Sequence, residues 1–506
     1  MLKRGVRFRG VPTLPVLRVL GVLARRPALV ALWLALLAGF TISILTPPLT
    51  GGDERDHFTR AYQISRGSFL THERGFAYGA YLPRTFEPEE ARLAQLAYTD
   101  RDRTAFLNDL GQAAPSGPEV FTSAGNAASY GPGAYLDYAV AMAIGRLVGL
   151  STLALLYLAR FAGVLTYGLL LALAVRRLPV HKWVLVAVGV MPAALNQAST
   201  VSADGMTMVL SFLVVGEALR LSLDPDAPRT RILIESAGAA ALLALAKPPY
   251  IVIIGLFAIP AWRYRRALLR PLVALGVGAL GLAGAWGAYQ EANSPSQSNP
   301  KFWLDVPANS YAFHGIRISA QTRYVLTHPW SFVAAAGRTF AFEGLQLPKE
   351  LFGMLGLYQL SWLPVLLSVG CLSVACFAAA EGEGPRLPTS DRVGLVALAL
   401  VVTLSVFAIA YTNWNQYRAP RIDAVNTRYL IPVLPALLIG LLPMRRRAPR
   451  ALEWSGWRYV VVGLATVVLV VTLIGMQHFQ YSRPPLKPAP TSAGSAILPA
   501  WRSVNR

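Results

Sequence analysis

Between Pro47 and Phe58 the chain reads PPLTGGDERDHF, which sets Asp53, Glu54, Asp56 and His57 within five positions. An aspartate near a water boundary can take the proton of an attacking hydroxyl, so acids at this density suit general-base chemistry. Asp53 and Glu54 are the candidate catalytic residues, with His57 as a candidate substrate ligand. Pro47 and Pro48 end a preceding helix, and Gly51 and Gly52 let the backbone turn closely. The spacing predicts a helix from Asp53 with His57, Ala61 and Ile64 on one face and Gly67 as its stop. A plainer role is open too, in which Asp53 caps this helix and Glu54 complements its dipole.

Lys247 lies between two apolar stretches in AKPPY. A cation there costs roughly 3 kcal/mol at membrane depth, which calls for an anionic partner, a lipid phosphate, or snorkelling to the headgroups. Asn196, Gln197, Ser199, Thr200, Ser202 and Asp204 form a polar island where one apolar stretch ends and the next begins. Asp204 is read either as a cap of the following helix or as a second acid of the site. In WNQYRAPRIDAVNTRYLIP, the arginines Arg418, Arg421 and Arg428 could bind phosphate or pyrophosphate through two N–H groups at once. Pairing with Asp423 or with lipid headgroups is the ordinary alternative.

Some chemistries have no motif here. The chain has no P-loop, no paired-histidine zinc motif and no Gly-x-Ser-x-Gly elbow, and its 6 histidines are scattered. No metal ligands are assigned and no cofactor is identified, although the outer acids leave a divalent metal open. Cys371 and Cys376 are five apart, off the helix-neighbour spacings, and are assigned neither disulfide nor metal.

The elements that must position these residues are membrane helices. Of the 506 residues 54% are hydrophobic and 14% charged, too apolar for soluble domains. A net charge of +21 is dispersed through short loops, which fits membrane topology and argues against a nucleic-acid partner. About eleven spans of near 20 apolar residues are predicted. They fall at 28–46, 153–175, 182–199, 204–222, 231–246, 249–262, 269–289, 359–380, 392–411, 428–444 and 458–476.

The basic residues before the first span set the N-terminus (1–27) in the cytoplasm, and the first span is read as a retained anchor rather than a cleaved signal. Basic loops at 176–182, 229–231, 263–270, 386–392 and 445–458 then all fall inside, and the C-terminus outside. Two apolar stretches, 134–150 and 332–345, are left as interfacial or re-entrant helices because counting either one alone would put the next basic loop outside, and Asp137, Arg146, Arg338 and Glu343 within them support that reading. Spans five and six are expected to form a tight hairpin at Lys247-Pro248-Pro249.

The expected organisation is a large extracytoplasmic loop at 47–152, spans two to seven at 153–289, a second outer segment at 290–358, spans eight to eleven at 359–476, and a disordered outer tail at 477–506. From 47 to 133 the first loop holds eleven acids against eight bases, so it is mildly acidic. An all-α, multi-pass protein of the cell inner (plasma) membrane is the expected class.

An acid pair after the first span, a long outer loop ending in YGPGAY, and a lysine on a short hairpin together resemble the GT-C glycosyltransferase superfamily. PPLTGGDERDHFTRAYQISRG, QASTVSADGMTMVLSFL, AKPPY, QTRYVLTHPWSF and TRYLIPVLPALL, in that order, look like the motifs of a bacterial membrane family of unknown function, DUF2142. GT-C kinship implies transfer of a sugar from a polyprenyl-phosphate donor, with inversion, to an extracytoplasmic acceptor such as a cell-envelope glycan, lipid or protein. It places Asp53 as the catalytic aspartate, Glu54 as its acidic neighbour, Asp204 as the second outer acid and Lys247 as the phosphate-facing lysine. His57 departs from the Tyr or Phe often found there. A transporter or flippase of a lipid-linked glycan, or a non-catalytic binder of one, is the alternative. A transporter should carry ionisable groups through its spans, and Arg160, Glu217 and Glu235 are the visible instances.

Overall fold

The computed structural model describes residues 25–74, 77–99, 108–224, 226–293, 316–356, 358–379, 385–423, 425–442 and 456–481. The expected basic N-terminus before 25, residues 445–455 of the expected basic loop 445–458 and the tail after 481 lie outside the described residues.

Among the described residues, six helices are long and apolar enough to cross a membrane: Pro27–Leu45, Thr152–Arg177, Ala203–Leu223, Arg265–Tyr289, Thr389–Asn413 and Trp457–Tyr481. Local signals set their ends. Pro27 starts the first without losing a needed N–H. Ser151 caps the second by accepting from the Ala154 N–H, and Ser202 caps the third by accepting from the Asp204 N–H.

The other five expected spans are built differently. Span 182–199 is two helices, Lys182–Gly189 and Pro192–Ser199, parted where Met191 takes an extended conformation before Pro192. Span 249–262 is a 3-10 segment, Pro248–Phe257, followed by the short helix Ala258–Arg263. Span 428–444 is a 3-10 segment, Thr427–Val433, followed by Leu434–Leu441. Hydropathy registers apolar length in each, whereas proline removes donors and shifts the backbone off the α-helix. Arg229–Ala246 and Trp362–Ala379 are continuous helices of 18 residues each. The two stretches held back as interfacial are helices of 12 and 15 residues, Leu136–Leu147 and Pro329–Glu343. At about 1.5 Å per residue, both are too short to cross.

Ala203–Leu223 is the centre of the bundle, 89% buried over its apolar window, while Arg265–Tyr289 is 22% buried and lies at the periphery. Small residues allow close approach around that centre. A Cβ on Gly39 of the first helix would sit 2.8 Å from Val164, and one on Gly163 would sit 2.5 Å from Tyr138.

The first loop is more than helices. After the helix Glu54–Ser65, three antiparallel strands follow, β1 (His72–Arg74), β2 (Ala77–Pro83) and β3 (Glu119–Ser123), in the order β1-β2-β3 with Gly79 opposite Ser123. A Cβ on Gly79 would meet the Thr122 carbonyl at 1.8 Å, so only glycine fits. This sheet was not expected, because strands of three to seven residues are too short to show alternation. Beneath it, Phe58, Tyr62, Leu82, Phe86 and Tyr135 pack with Leu153, Leu155 and Leu156 of the second long helix, so the loop is fastened to the bundle. A separate cluster joins Phe332, Ala335 and Ala336 to Phe407, Ala410 and Tyr411 at the far end of Thr389–Asn413.

Candidate functional site

The site begins with a clamp at the end of the first helix. Arg160 is fully enclosed and uses all of its N–H directions: Nε and Nη2 donate to the two carboxylate oxygens of Glu54 at 2.7 and 2.6 Å. Nη1 donates to the carbonyls of Ser43 and Thr46 at 2.8 and 2.7 Å, and Nη2 also to that of Pro47 at 3.0 Å. The Ser43 and Thr46 carbonyls lie at the helix end without a helical partner, so the guanidinium satisfies them, while the Pro47 carbonyl also accepts from Thr50. Glu54 also accepts from the N–H of Gly51 at 3.2 Å and from that of Val201 at 3.0 Å. One ion pair therefore ties the first helix, the PPLTGG turn, the second long helix and the entry to Ala203–Leu223. Glu54 is 0% exposed. Its carboxylate faces Arg160 and backbone amides, unlike that of its neighbour.

Asp53 occupies the N-cap position of Glu54–Ser65, and its carbonyl accepts from the His57 N–H at 3.2 Å, but its side chain makes no capping hydrogen bond. The cap expectation thus holds for the backbone and not for the carboxylate. That carboxylate is half exposed and lies 3.5 Å from Nη2 of Arg428. Asp204 is likewise no cap, since Ser202 fills that position. It pairs with Lys247 through Oδ1 and lies 3.1 Å from Nε of Arg428 through Oδ2, an ion contact without hydrogen-bond alignment. Lys247 is 6% exposed and does not snorkel. Its ammonium sits 4.4 Å from the ring centre of Tyr429 and 5.1 Å from that of Tyr130. The extended backbone of Lys247, imposed by the two prolines after it, ends Arg229–Ala246 there.

His57 closes this group. Its Nδ1 is 2.6 Å from the Tyr135 hydroxyl, and its ring stacks on Tyr130 at 5.6 Å. Burial pushes its imidazole down to about 4, outweighing the pull of Asp53 in the other direction. It is therefore neutral near pH 7, and Tyr135 stays a phenol because burial raises its pKa well above the usual value. Gly131 and Gly133 let the YGPGAY segment reach the end of Arg229–Ala246: a Cβ on Gly131 would meet the Leu245 carbonyl at 2.2 Å.

Five of the eight sequence candidates, Asp53, His57, Asp204, Lys247 and Arg428, thus form one cluster at one end of the bundle. Glu54 anchors it from behind. Arg418 and Arg421 stand in another group: Arg421 pairs with Asp423 at 2.9 Å and lies 3.8 Å from the Phe342 ring centre, and Arg418 packs on Tyr324 and Tyr417. Sequence reasoning did not single out Tyr130, Tyr135 and Tyr429, although YGPGAY and TRYLIP stand out as segments. Among the described residues no group of three or more His, Cys, Asp and Glu side chains is placed to hold a metal ion.

Chemically, the cluster offers one accessible carboxylate beside a guanidinium, backed by a buried acid and a buried ammonium. Nη1 of Arg428 faces Gly52, whose φ of +87° and missing side chain leave space beside the guanidinium.

A family model described as "predicted membrane protein (DUF2142)" matches residues 36–437, which include all eight candidates. No curated protein and no solved structure matches the chain.

Proposed function

The chain belongs to the DUF2142 family of predicted membrane proteins, and from that premise we propose that it is an inverting, GT-C-like glycosyltransferase of the plasma membrane. It moves a sugar from a polyprenyl-phosphate donor to an extracytoplasmic acceptor. The observation that carries this reading is the pairing of a half-exposed Asp53 carboxylate with Arg428 at 3.5 Å, while Asp204, itself paired with Lys247, holds Arg428 from the buried side.

Asp53 takes the proton of the acceptor hydroxyl as its oxygen bonds to the anomeric carbon. The bond from that carbon to the phosphate oxygen breaks with oxocarbenium character, and the phosphate leaves with the electron pair. Arg428, fixed in advance, stabilises that developing charge through the N–H edge beside Gly52. In this reading the N-terminus is cytoplasmic, the first loop and the C-terminus are extracytoplasmic, and the broken helices complete about eleven crossings.

The ionisable residues inside the spans support an enzyme over a transporter. Arg160 is bound to Glu54, and Arg177 lies between Glu217 and Glu235. These are one closed pair and one closed group, in which Arg231 also binds Glu235, unlike the open chain of titratable groups a pump uses.

The test is reconstitution in liposomes with labelled polyprenyl-phosphate sugar and an extracytoplasmic acceptor extract. Transfer by wild type and its loss in Asp53→Asn are expected. Translocation without transfer, binding without turnover, or an Asp53→Asn protein as fast as wild type would each overturn the reading.

A further inference from the structure

The arginines of WNQYRAPRIDAVNTRYLIP differ in what neutralises them. Arg428 has Asp53 and Asp204, and Arg421 has Asp423. Arg418 is exposed and forms no ion pair with a carboxylate among the described residues. Its guanidinium instead lies 4.8 Å from the ring centre of Tyr324 and 5.1 Å from that of Tyr417. Tyr324 stacks in turn on His328 at 4.7 Å.

The placement is built into the fold. Arg418 takes a φ of +59°, a left-handed conformation unusual for a side-chain-bearing residue. Its N–H is held by the side-chain oxygen of the fully buried Gln321 at 2.8 Å. Rings against a guanidinium limit its motion while leaving in-plane N–H groups for an anion, and that fork matches a phosphate. Leu326, two residues after Tyr324, and Trp330, two after His328, are 77% and 81% exposed. An exposed indole next to aliphatic surface is what a membrane protein presents at headgroup level. Arg418 and Arg428 are ten positions apart, so the chain between them reaches at most about 36 Å.

We propose that Arg418, set between Tyr324 and Tyr417, is a second lipid-phosphate site, distinct from the one at Arg428, and that it holds the phosphate headgroup of a lipid-linked acceptor. The acceptor role rests on the transferase reading above; the binding of a lipid phosphate does not.

The experiment uses the full chain in phosphatidylcholine nanodiscs, titrated with undecaprenyl phosphate and read by native mass spectrometry. Wild type and Asp53→Asn should each retain two lipids. Arg418→Gln should retain one, and Tyr417→Leu and Arg418→Lys should weaken the second at least tenfold, which keeps the test valid if Arg418→Gln unfolds. Two lipids held with wild-type affinity by these variants, or only one held by wild type, overturns the proposal. So does full displacement of the second lipid by millimolar inorganic phosphate, which would mark a site for free phosphate. An active Asp53→Asn protein removes the transferase reading but not the second lipid. If both stand, Arg418→Gln should raise KM for a lipid-linked acceptor and leave the donor KM unchanged.

Discussion

Arg160 grips both carboxylate oxygens of Glu54 at 2.7 and 2.6 Å, with both side chains fully enclosed and 106 positions apart in the chain. Removing one member leaves an uncompensated buried charge, at a cost of about 3–5 kcal/mol. Glu54→Ala and Arg160→Ala should therefore each lower the thermal midpoint in detergent sharply. The double variant should lose much less than the sum, and additive losses would show that the pair does not act as a unit.

Asp204 stands between two cations, Lys247 and Arg428, and is the only buried acid of the cluster. Asp204→Asn should destabilise by roughly 3–5 kcal/mol, because two buried cations lose their counter-charge. Adding Lys247→Met should restore part of that loss. A thermal shift series on the two singles and the double checks this, and a double variant less stable than Asp204→Asn counts against the pairing.

Gly52 has a φ of +87°, and a Cβ there would lie 3.3 Å from Nη1 of Arg428. Gly52→Ala should cost about 1–2 kcal/mol from the left-handed backbone alone. It should also lower transfer through the crowded guanidinium. Comparison with Gly67→Ala separates the two effects, since Gly67 has a φ of +81° with nothing within 4 Å of an added Cβ. Equal loss of transfer in both would place the Gly52 effect in the backbone.

His57 is held down to about 4 by burial, against an ordinary value of 6.5. Between these values the unfolded chain binds the proton and the folded one does not, so stability rises with pH. Its contribution is complete above about 6.5 and is lost as pH falls toward 4. Glu90, raised by burial to about 7 from 4.5, acts oppositely: the folded chain keeps the proton there, and stability falls as pH rises from 4.5 to 7. The sign is therefore read from a difference. From pH 7 to 4 the thermal midpoint of His57→Phe should fall less than that of wild type, and parallel curves would remove the assignment.

The candidate cluster was legible in residue types but not in its pairings. Lys247 asked for an anion, and the structure supplies Asp204, 43 positions away. Asp53 at a helix start looked like a cap; its carboxylate is instead directed to Arg428. Glu54, taken with it as catalytic, faces the other way because successive side chains on a helix point about 100° apart. The three tyrosines stayed out of view because aromatic residues near a membrane have many ordinary uses.

By itself the sequence determined the membrane class, the positions of the apolar stretches and the gathering of acids and arginines at their ends. Charge is excluded from hydrocarbon, and that exclusion is written residue by residue. Only the tertiary structure decided which stretches are whole helices and which charges meet. Prolines break apolar runs without altering their hydropathy. Which helix ends become neighbours depends on packing across the bundle, where Ala203–Leu223 at the centre brings Asp204 to both Lys247 and Arg428.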